Sequence, residues 1–329
     1  MAGSLTSVPG VAVGHAHDLE ALTGCTVVLL PPGATVGVDV RGGAPATRET
    51  DLLRPTAMVP HVDAICLCGG SAFGLDAAGG VMRWLRAQGR GFEAGVARVP
   101  IVPAAAIFDL GIGRADRWPD TAMGEAACRA ASTGPVAEGC VGAGAGATVG
   151  KLLGPAAAMK SGLGSSALLL PDGTTVAALA VTNALGDVYR DGTRAIIAGA
   201  RRPDGGFAGP AALGSGRLPG PGEHTTLAVV VTDAALDKAG CQKLAEMAQD
   251  ALARTIRPVH TPFDGDIVFA AATGARPTPG LLHLGAAAAD ALAAAIERSV
   301  LLATSLGGLP ACGERASYAG HVPHPANKH

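Results

Sequence analysis

Short apolar runs broken by glycine and proline alternate along this chain with longer stretches of helical spacing, the pattern of an α/β protein. Thr26 to Leu30, Ala64 to Cys68, Ser166 to Leu170 and Thr174 to Val181 predict strands. Ala72 to Ala87 predicts a helix, in which Gly74, Gly79 and Gly80 permit close packing against a neighbour. Leu227 to Val231 is an unbroken, valine-rich apolar run, suited to a strand buried on both faces. Leu244, Met247, Ala248, Ala251 and Leu252 recur at helical spacing and give one apolar stripe. A strand from Ile267 to Ala271 and a long Ala-rich helix from about Leu282 to Leu302 follow. Arg202 to Pro221, rich in glycine and proline, is the best linker candidate. Residues beyond Tyr318, with His321, His324 and His329 among prolines, read as a loose tail with no specific metal site. No internal repeat is visible.

Composition narrows the function. At 329 residues the chain can bury a sizeable core. A net charge of −2 with scattered basic residues gives no footprint for nucleic acid or an anionic membrane. Aromatic residues, at 3%, are too few for a base-stacking platform. The most apolar stretch, Leu282 to Leu306, is interrupted by Asp290, Glu297 and Arg298 and reads as a buried helix. Met1 to Gly10 lacks a basic region followed by an apolar one, so a cytoplasmic protein is expected. The seven cysteines, an odd number at irregular spacing, read as reduced, buried thiols. Cys66 and Cys68 fall on the same side of a strand, and C-x-C without a partner cluster is a poor metal signal. No cofactor is expected.

The chemistry-bearing stretch is Pro221 to Asp233. A turn-rich run from Gly214 to Gly222 breaks abruptly into Thr225-Thr226 and an apolar strand. Two readings fit. Threonine favours strands, so the pair can simply open one. Alternatively the chain cuts its own backbone before Thr225. The hydroxyl then serves as nucleophile and the freed α-amine, with an ordinary pKa of about 7.7–8.0, as its base. Some forty residues on, Asp264-Gly265-Asp266 stands at the mouth of another apolar strand.

With these segments the chain resembles the DmpA-type aminopeptidases and their relatives, the nylon-oligomer and pantetheine hydrolases, which are self-processing N-terminal-nucleophile amidases. The resemblance also rests on Val11 to His15, Thr23 to Val27, Val38 to Gly43, Gly69 to Leu75, Gly142 to Lys151 and Thr182-Asn183, in that order. It implies a layered mixed sheet flanked by helices, as in the DmpA and ornithine acetyltransferase group. It also implies cleavage between His224 and Thr225. Residues 1–224 and 225–329 would then be two fragments interleaved in one fold, assembled further as a homo-oligomer, a tetramer of fragment pairs. By the same resemblance Thr225 is the nucleophile, Lys151 and Asn183 assist at the oxyanion, and Asp264 and Asp266 orient the hydroxyl and amine. Phe108 and Gly144 fall at the substrate pocket, and a small peptide or amide is the expected substrate. Aminopeptidase members carry Ser and Glu where this chain has its two aspartates, which favours the nylon-oligomer hydrolase branch. Two further departures stand out. His224 replaces the usual Asn or Gly before the cut, and Phe108 replaces a tyrosine, removing a phenolic donor. An acyltransferase with the same nucleophile and an uncut, silent binding protein are the alternatives.

Other motifs fail on inspection. Gly142 to Lys151 is neither a Walker loop, having Ala145 and Leu152 at required positions, nor a dinucleotide fingerprint, having Ala147. Ser71 lacks the glycine two residues on that a nucleophile elbow needs, and reads as a helix N-cap after a tight turn. His15, His61 and His260 are isolated in the sequence and read as packing or turn residues.

Overall fold

The computed structural model describes residues 3–214 and 224–314. The linker beyond Gly214 and the tail beyond Tyr318 lie outside the described residues.

Two five-stranded sheets stack face to face, and helices cover the outer face of each. The strands are β1 (Ala12–Asp18), β2 (Thr23–Leu29), β3 (Thr35–Val40), β4 (Ala64–Cys68) and β5 (Ala104–Ala106). They continue as β6 (Leu163–Leu169), β7 (Thr175–Asn183), β8 (Thr225–Ala234) and β9 (Ile267–Arg276). The helices are α1 (Ala77–Ala87), α2 (Thr121–Arg129), α3 (Lys238–Ala248), α4 (Asp250–Thr255) and α5 (Leu281–Leu301). The first sheet has the order β6-β7-β8-β9-β3, antiparallel except for the parallel pair β8/β9. The second runs β1-β2-β4-β5 and ends on the short strand Thr47–Arg48, with β4/β5 parallel. The mixed sheet flanked by helices is as the sequence implied; the second stacked sheet adds two layers.

Side-chain alternation explains the stacking. On β8, Ala228, Val230 and Ala234 face α3, α4 and α5, while Leu227, Val229 and Val231 face the second sheet. β7 and β9 divide in the same way, Val176, Ala178, Val268 and Ala270 outward and Ala177, Leu179, Ile267 and Phe269 inward. Such a strand has no solvent face, which is why Leu227 to Val231 carries no polar residue. On the second sheet's far side Cys25, Cys66 and Cys68 share a core with Ala78, Val81 and Leu85 of α1 and Cys128 of α2. Cys66 and Cys68 therefore do point the same way.

Three local expectations need correction. The α-helix starts at Ala77, and the preceding turns Ser71–Asp76 are a 3-10 helix. Its N-cap is Gly70, not Ser71. Gly70 takes φ 78°, a left-handed turn, and no side chain caps the end. The stripe from Leu244 to Leu252 is divided between α3 and α4, which part at Gln249, and Asp237 caps α3 through the Gly240 N–H. The charges in α5 are exposed or paired: Asp290 with Arg254, Glu297 with Arg190, Arg298 with Glu138. Among the described residues no helix is long and apolar enough to cross a membrane.

Candidate active site

One end of the first sheet gathers the chemistry. The antiparallel register sets Thr225, the first residue of β8, opposite Asn183, the last of β7. On its other side β8 runs parallel to β9, so the segment leading into β9 must lie beside the residues leading into β8. His224 accordingly bridges Asp264. Lys151 arrives from a turn anchored on the β7 exit, where Gly150 N–H donates to Gly186 O at 3.0 Å and Lys151 N–H to Leu185 O at 2.9 Å. Gly150 has φ +70°, and a Cβ there would meet the Gly199 carbonyl carbon at 2.1 Å. A residue with a side chain cannot hold that turn.

The polar atoms form a connected set. Lys151 Nζ donates to Asn183 Oδ1 at 2.8 Å and to the Asn183 carbonyl at 3.1 Å. Asn183 Oδ1 also accepts from Thr148 N–H at 3.0 Å, and its Nδ2 donates to the Phe108 carbonyl at 3.0 Å. Thr225 Oγ1 donates to the His224 carbonyl oxygen at 2.5 Å, and the same oxygen accepts from Gly265 N–H at 2.8 Å. Asp266 Oδ1 accepts from Thr226 N–H at 2.7 Å; its Oδ2 meets both the N–H and Nδ1 of His260 at 3.0 Å. Asp264 Oδ2 takes the N–H and hydroxyl of Thr261. Thus, among the described residues, the hydrogen bonds of the two aspartates go to Thr226, His260 and Thr261 rather than to Thr225. Asp266 grips the residue after it.

The site is buried and rich in ionisable groups. Thr225 is 3% exposed, His224 2%, Asp264 2% and Asp266 1%. Burial, and then the neighbouring Asp266, push the Asp264 carboxyl up to about 6, against the pull of Thr261 and Lys151. Burial and then the Lys151 ammonium hold the His224 imidazole down at about 3. Among the described residues both its ring nitrogens are buried without a hydrogen-bond partner. A neutral imidazole therefore stands immediately before the threonine.

A cavity of about 330 Å³ opens beside this set, lined among others by Phe108, Asp109, Ile112, Thr148, Lys151 and Leu309. Phe108 is at the cavity as expected. Gly144 is not among its lining residues. It sits behind, where an added Cβ would strike Leu163 N at 2.5 Å, and its carbonyl accepts from Lys160. Thr225 is joined to the cavity through Asn183, whose side chain binds Phe108, Thr148 and Lys151.

Sequence reasoning missed four supports. His260 and Thr261 each hold an aspartate, and Thr148 holds Asn183. Lys160, fully buried, ties its ammonium to the carbonyls of Gly144, Ala147 and Ser161, fixing the glycine turn. Lys160 had a visible signal, being the sole charge between Lys151 and Asp172. The other three had none: Thr261 and His260 bind aspartates of their own loop, and Thr148 meets Asn183 only through the packing of separate segments.

Comparison with known proteins gives a consistent result. The family model described as peptidase family S58 matches residues 3–311. An uncharacterized aminopeptidase of Mycobacterium leprae is 45% identical, over 94% of this chain and 93% of its own. A 6-aminohexanoate-oligomer endohydrolase of Kocuria sp. is 31% identical over 88% of this chain and 82% of its own. The L-aminopeptidase D-Ala-esterase/amidase of Ochrobactrum anthropi, described as a variant of the Ntn-hydrolase fold, superposes with TM-score 0.70. It is 20% identical and covers 94% of this chain and 88% of its own. A Burkholderia β-aminopeptidase superposes with TM-score 0.67 at 24% identity, over 98% and 95%. The fold is that of the N-terminal-nucleophile aminopeptidases, the protein is a hydrolase, and the chain belongs to peptidase family S58.

Proposed function

We propose that the chain cuts itself between His224 and Thr225 and then hydrolyses amides through an acyl-enzyme on Thr225 Oγ. The observation that carries this reading is the approach of Thr225 Oγ1 to within 2.5 Å of the His224 carbonyl oxygen. The hydroxyl thus stands against the bond it would have to open. Cleavage would free the α-amine as the base for later turnovers. It would also uncover a nucleophile that is 3% exposed in the uncut chain. Asn183 offers an amide donor and Lys151 a cation on the cavity side, where negative charge develops when a substrate carbonyl is attacked. Asp266 fixes the start of β8 through Thr226 N–H, and Asp264, whose backbone bridges His224, brings a second carboxyl to the same end of the sheet.

The two fragments would stay together, because β8 pairs with β7 and β9 with β3 across the cut. Homo-oligomer formation is part of the same proposal, and light scattering on the purified protein reads it. The largely apolar cavity, with Lys151 and Asp109 as its charged members, suits a small amide or peptide. The Kocuria relative, an oligomer endohydrolase, and the mycobacterial aminopeptidase bracket that choice.

The test is direct. The purified chain should resolve on a denaturing gel into two fragments, the smaller beginning Thr-Thr-Leu-Ala-Val. Thr225→Ala should remain whole and hydrolyse neither amides nor esters. A variant that still cuts or still turns over would move the nucleophile elsewhere, with Thr226 the next residue to test. Product analysis with an added amine separates hydrolysis from acyl transfer.

A further inference from the structure

The carbonyl to be cut already has a donor of its own. We propose that the backbone N–H of Gly265 is the oxyanion donor for self-cleavage at His224–Thr225, separate from the Asn183 amide that serves substrate turnover. The inference rests on the self-processing reading above and adds the group that stabilises its first step.

Gly265 N–H points at the His224 carbonyl oxygen from 2.8 Å. That contact follows from topology: β8 and β9 are parallel, and the bridge between His224 and Asp264 continues their register three residues before the Leu227–Ile267 pair. The donor is held from both sides. Ala44 N–H binds the Asp264 carbonyl at 2.8 Å, and Arg41 N–H and Gly42 N–H bind the Asp266 carbonyl at 3.0 and 3.3 Å. The flanking side chains are tied as well, Asp264 to Thr261 and Asp266 to Thr226 and His260. A donor fixed before reaction costs no reorganisation when charge develops.

Only glycine fits between the aspartates. A Cβ at residue 265 would lie 2.7 Å from Thr225 Oγ1 and 2.9 Å from the Ala44 carbonyl. The amide of residue 265 and the attacking hydroxyl therefore share one tight space around one carbonyl. Asn183, by contrast, aims its amide at Phe108 and binds Lys151, both of which line the cavity.

The step balances without an added reagent until its last stage. Thr225 Oγ forms a bond to the His224 carbonyl carbon, and the π electrons move onto the oxygen facing Gly265 N–H. As the oxyanion collapses, the C–N bond breaks and the proton from Oγ passes to the departing Thr225 nitrogen. An ester joins His224 to Thr225 Oγ, with a free α-amine. Water then cleaves the ester to the His224 carboxylate and the threonine hydroxyl.

The experiment replaces Gly265 by glycolic acid in the full-length chain, exchanging the donor N–H for an ester oxygen and adding no atom to the crowded space. With the circular dichroism of the parent, this chain should cut on the order of 10²–10³-fold more slowly, the usual loss when one oxyanion donor is removed. A folded variant that cuts within about threefold of the parent overturns the proposal. A parent chain that never cuts sinks the self-processing reading and this inference with it. Should the glycolate chain refold poorly, the uncleavable Thr225→Ala protein supplies a second measurement. A through-hydrogen-bond scalar coupling between the Gly265 nitrogen and the His224 carbonyl carbon is expected there, and its absence overturns the proposal.

Discussion

Asp266→Asn tests the site's main anchor with the change of a single atom. Asp266 is 1% exposed and satisfies two backbone N–H groups, Thr226 at 2.7 Å and His260 at 3.0 Å, besides meeting His260 Nδ1. Asparagine has one carbonyl oxygen. Turned toward Thr226 it keeps that bond but loses the charge assistance, about 1 kcal/mol. Its NH₂ then faces the His260 N–H, leaving a buried donor unsatisfied at about 1–3 kcal/mol. The His260 Nδ1 contact survives, since the ring can change tautomer and accept from the NH₂. Two gains oppose this: a buried charge disappears, and so does its repulsion of Asp264. The net expectation is a loss of about 1–3 kcal/mol, read by urea denaturation of the uncut Thr225→Ala background at pH 7. His260 also has φ 55°, an uncommon conformation that the lost bonds help to hold. A second readout moves the other way. Asp266 raises the Asp264 carboxyl and, as a nearby negative charge, favours the protonated α-amine proposed as the base, so in an active Asp266→Asn enzyme the acid limb of the pH–rate profile should move to lower pH. Unchanged stability, or a limb that moves upward, would refute the assignment of Asp266 as the anchor.

Three further outcomes follow from the same geometry. Lys151→Met should lower kcat/KM by roughly 10²–10³-fold. Because Lys151 pulls the Asp264 carboxyl down, its loss should carry that carboxyl above about 6, and the loss of the cation should move the acid limb of residual activity to higher pH. Gly150→Ala forces φ +70° on a residue whose Cβ would stand 2.1 Å from Gly199, so it should cost about 2–5 kcal/mol in thermal or urea unfolding. The uncut chain should also be acid-sensitive through His224. The folded state keeps that ring neutral down to about 3, whereas the unfolded chain protonates near 6.5. The unfolded state then binds more protons, and stability falls as pH drops from 6.5 toward 3. His224→Gln in the Thr225→Ala background should flatten that fall in a pH series of melting curves.

The sequence by itself determined many of the elements and pointed to the residues proposed here for the chemistry. Leu227 to Val231 announces a doubly buried strand because burial on both faces excludes polar residues, and Ile267 to Ala271, read simply as a strand, proves buried on both faces too. Thr225, Lys151, Asn183, Asp264 and Asp266 were singled out by the family resemblance, because several motifs stood in the expected order. Short elements such as β5, three alanines long, carry no period and passed unseen. What only the tertiary structure decided is which atoms meet. The pairing of β7 with β8 puts Thr225 opposite Asn183, and the parallel run of β8 and β9 brings Gly265 N–H to the His224 carbonyl. Gly144 was drawn to the pocket by its place in a glycine run, yet the turn held by Lys160 sets it behind the cavity wall. His260 reads as a packing or turn residue and Thr261 drew no reading, and only the folding of their own loop onto Asp264 and Asp266 gives them work. The division has one physical cause. Period and polarity record the environment of each residue along the chain, whereas hydrogen-bond partners far apart in sequence depend on register and loop packing, which leave no local trace.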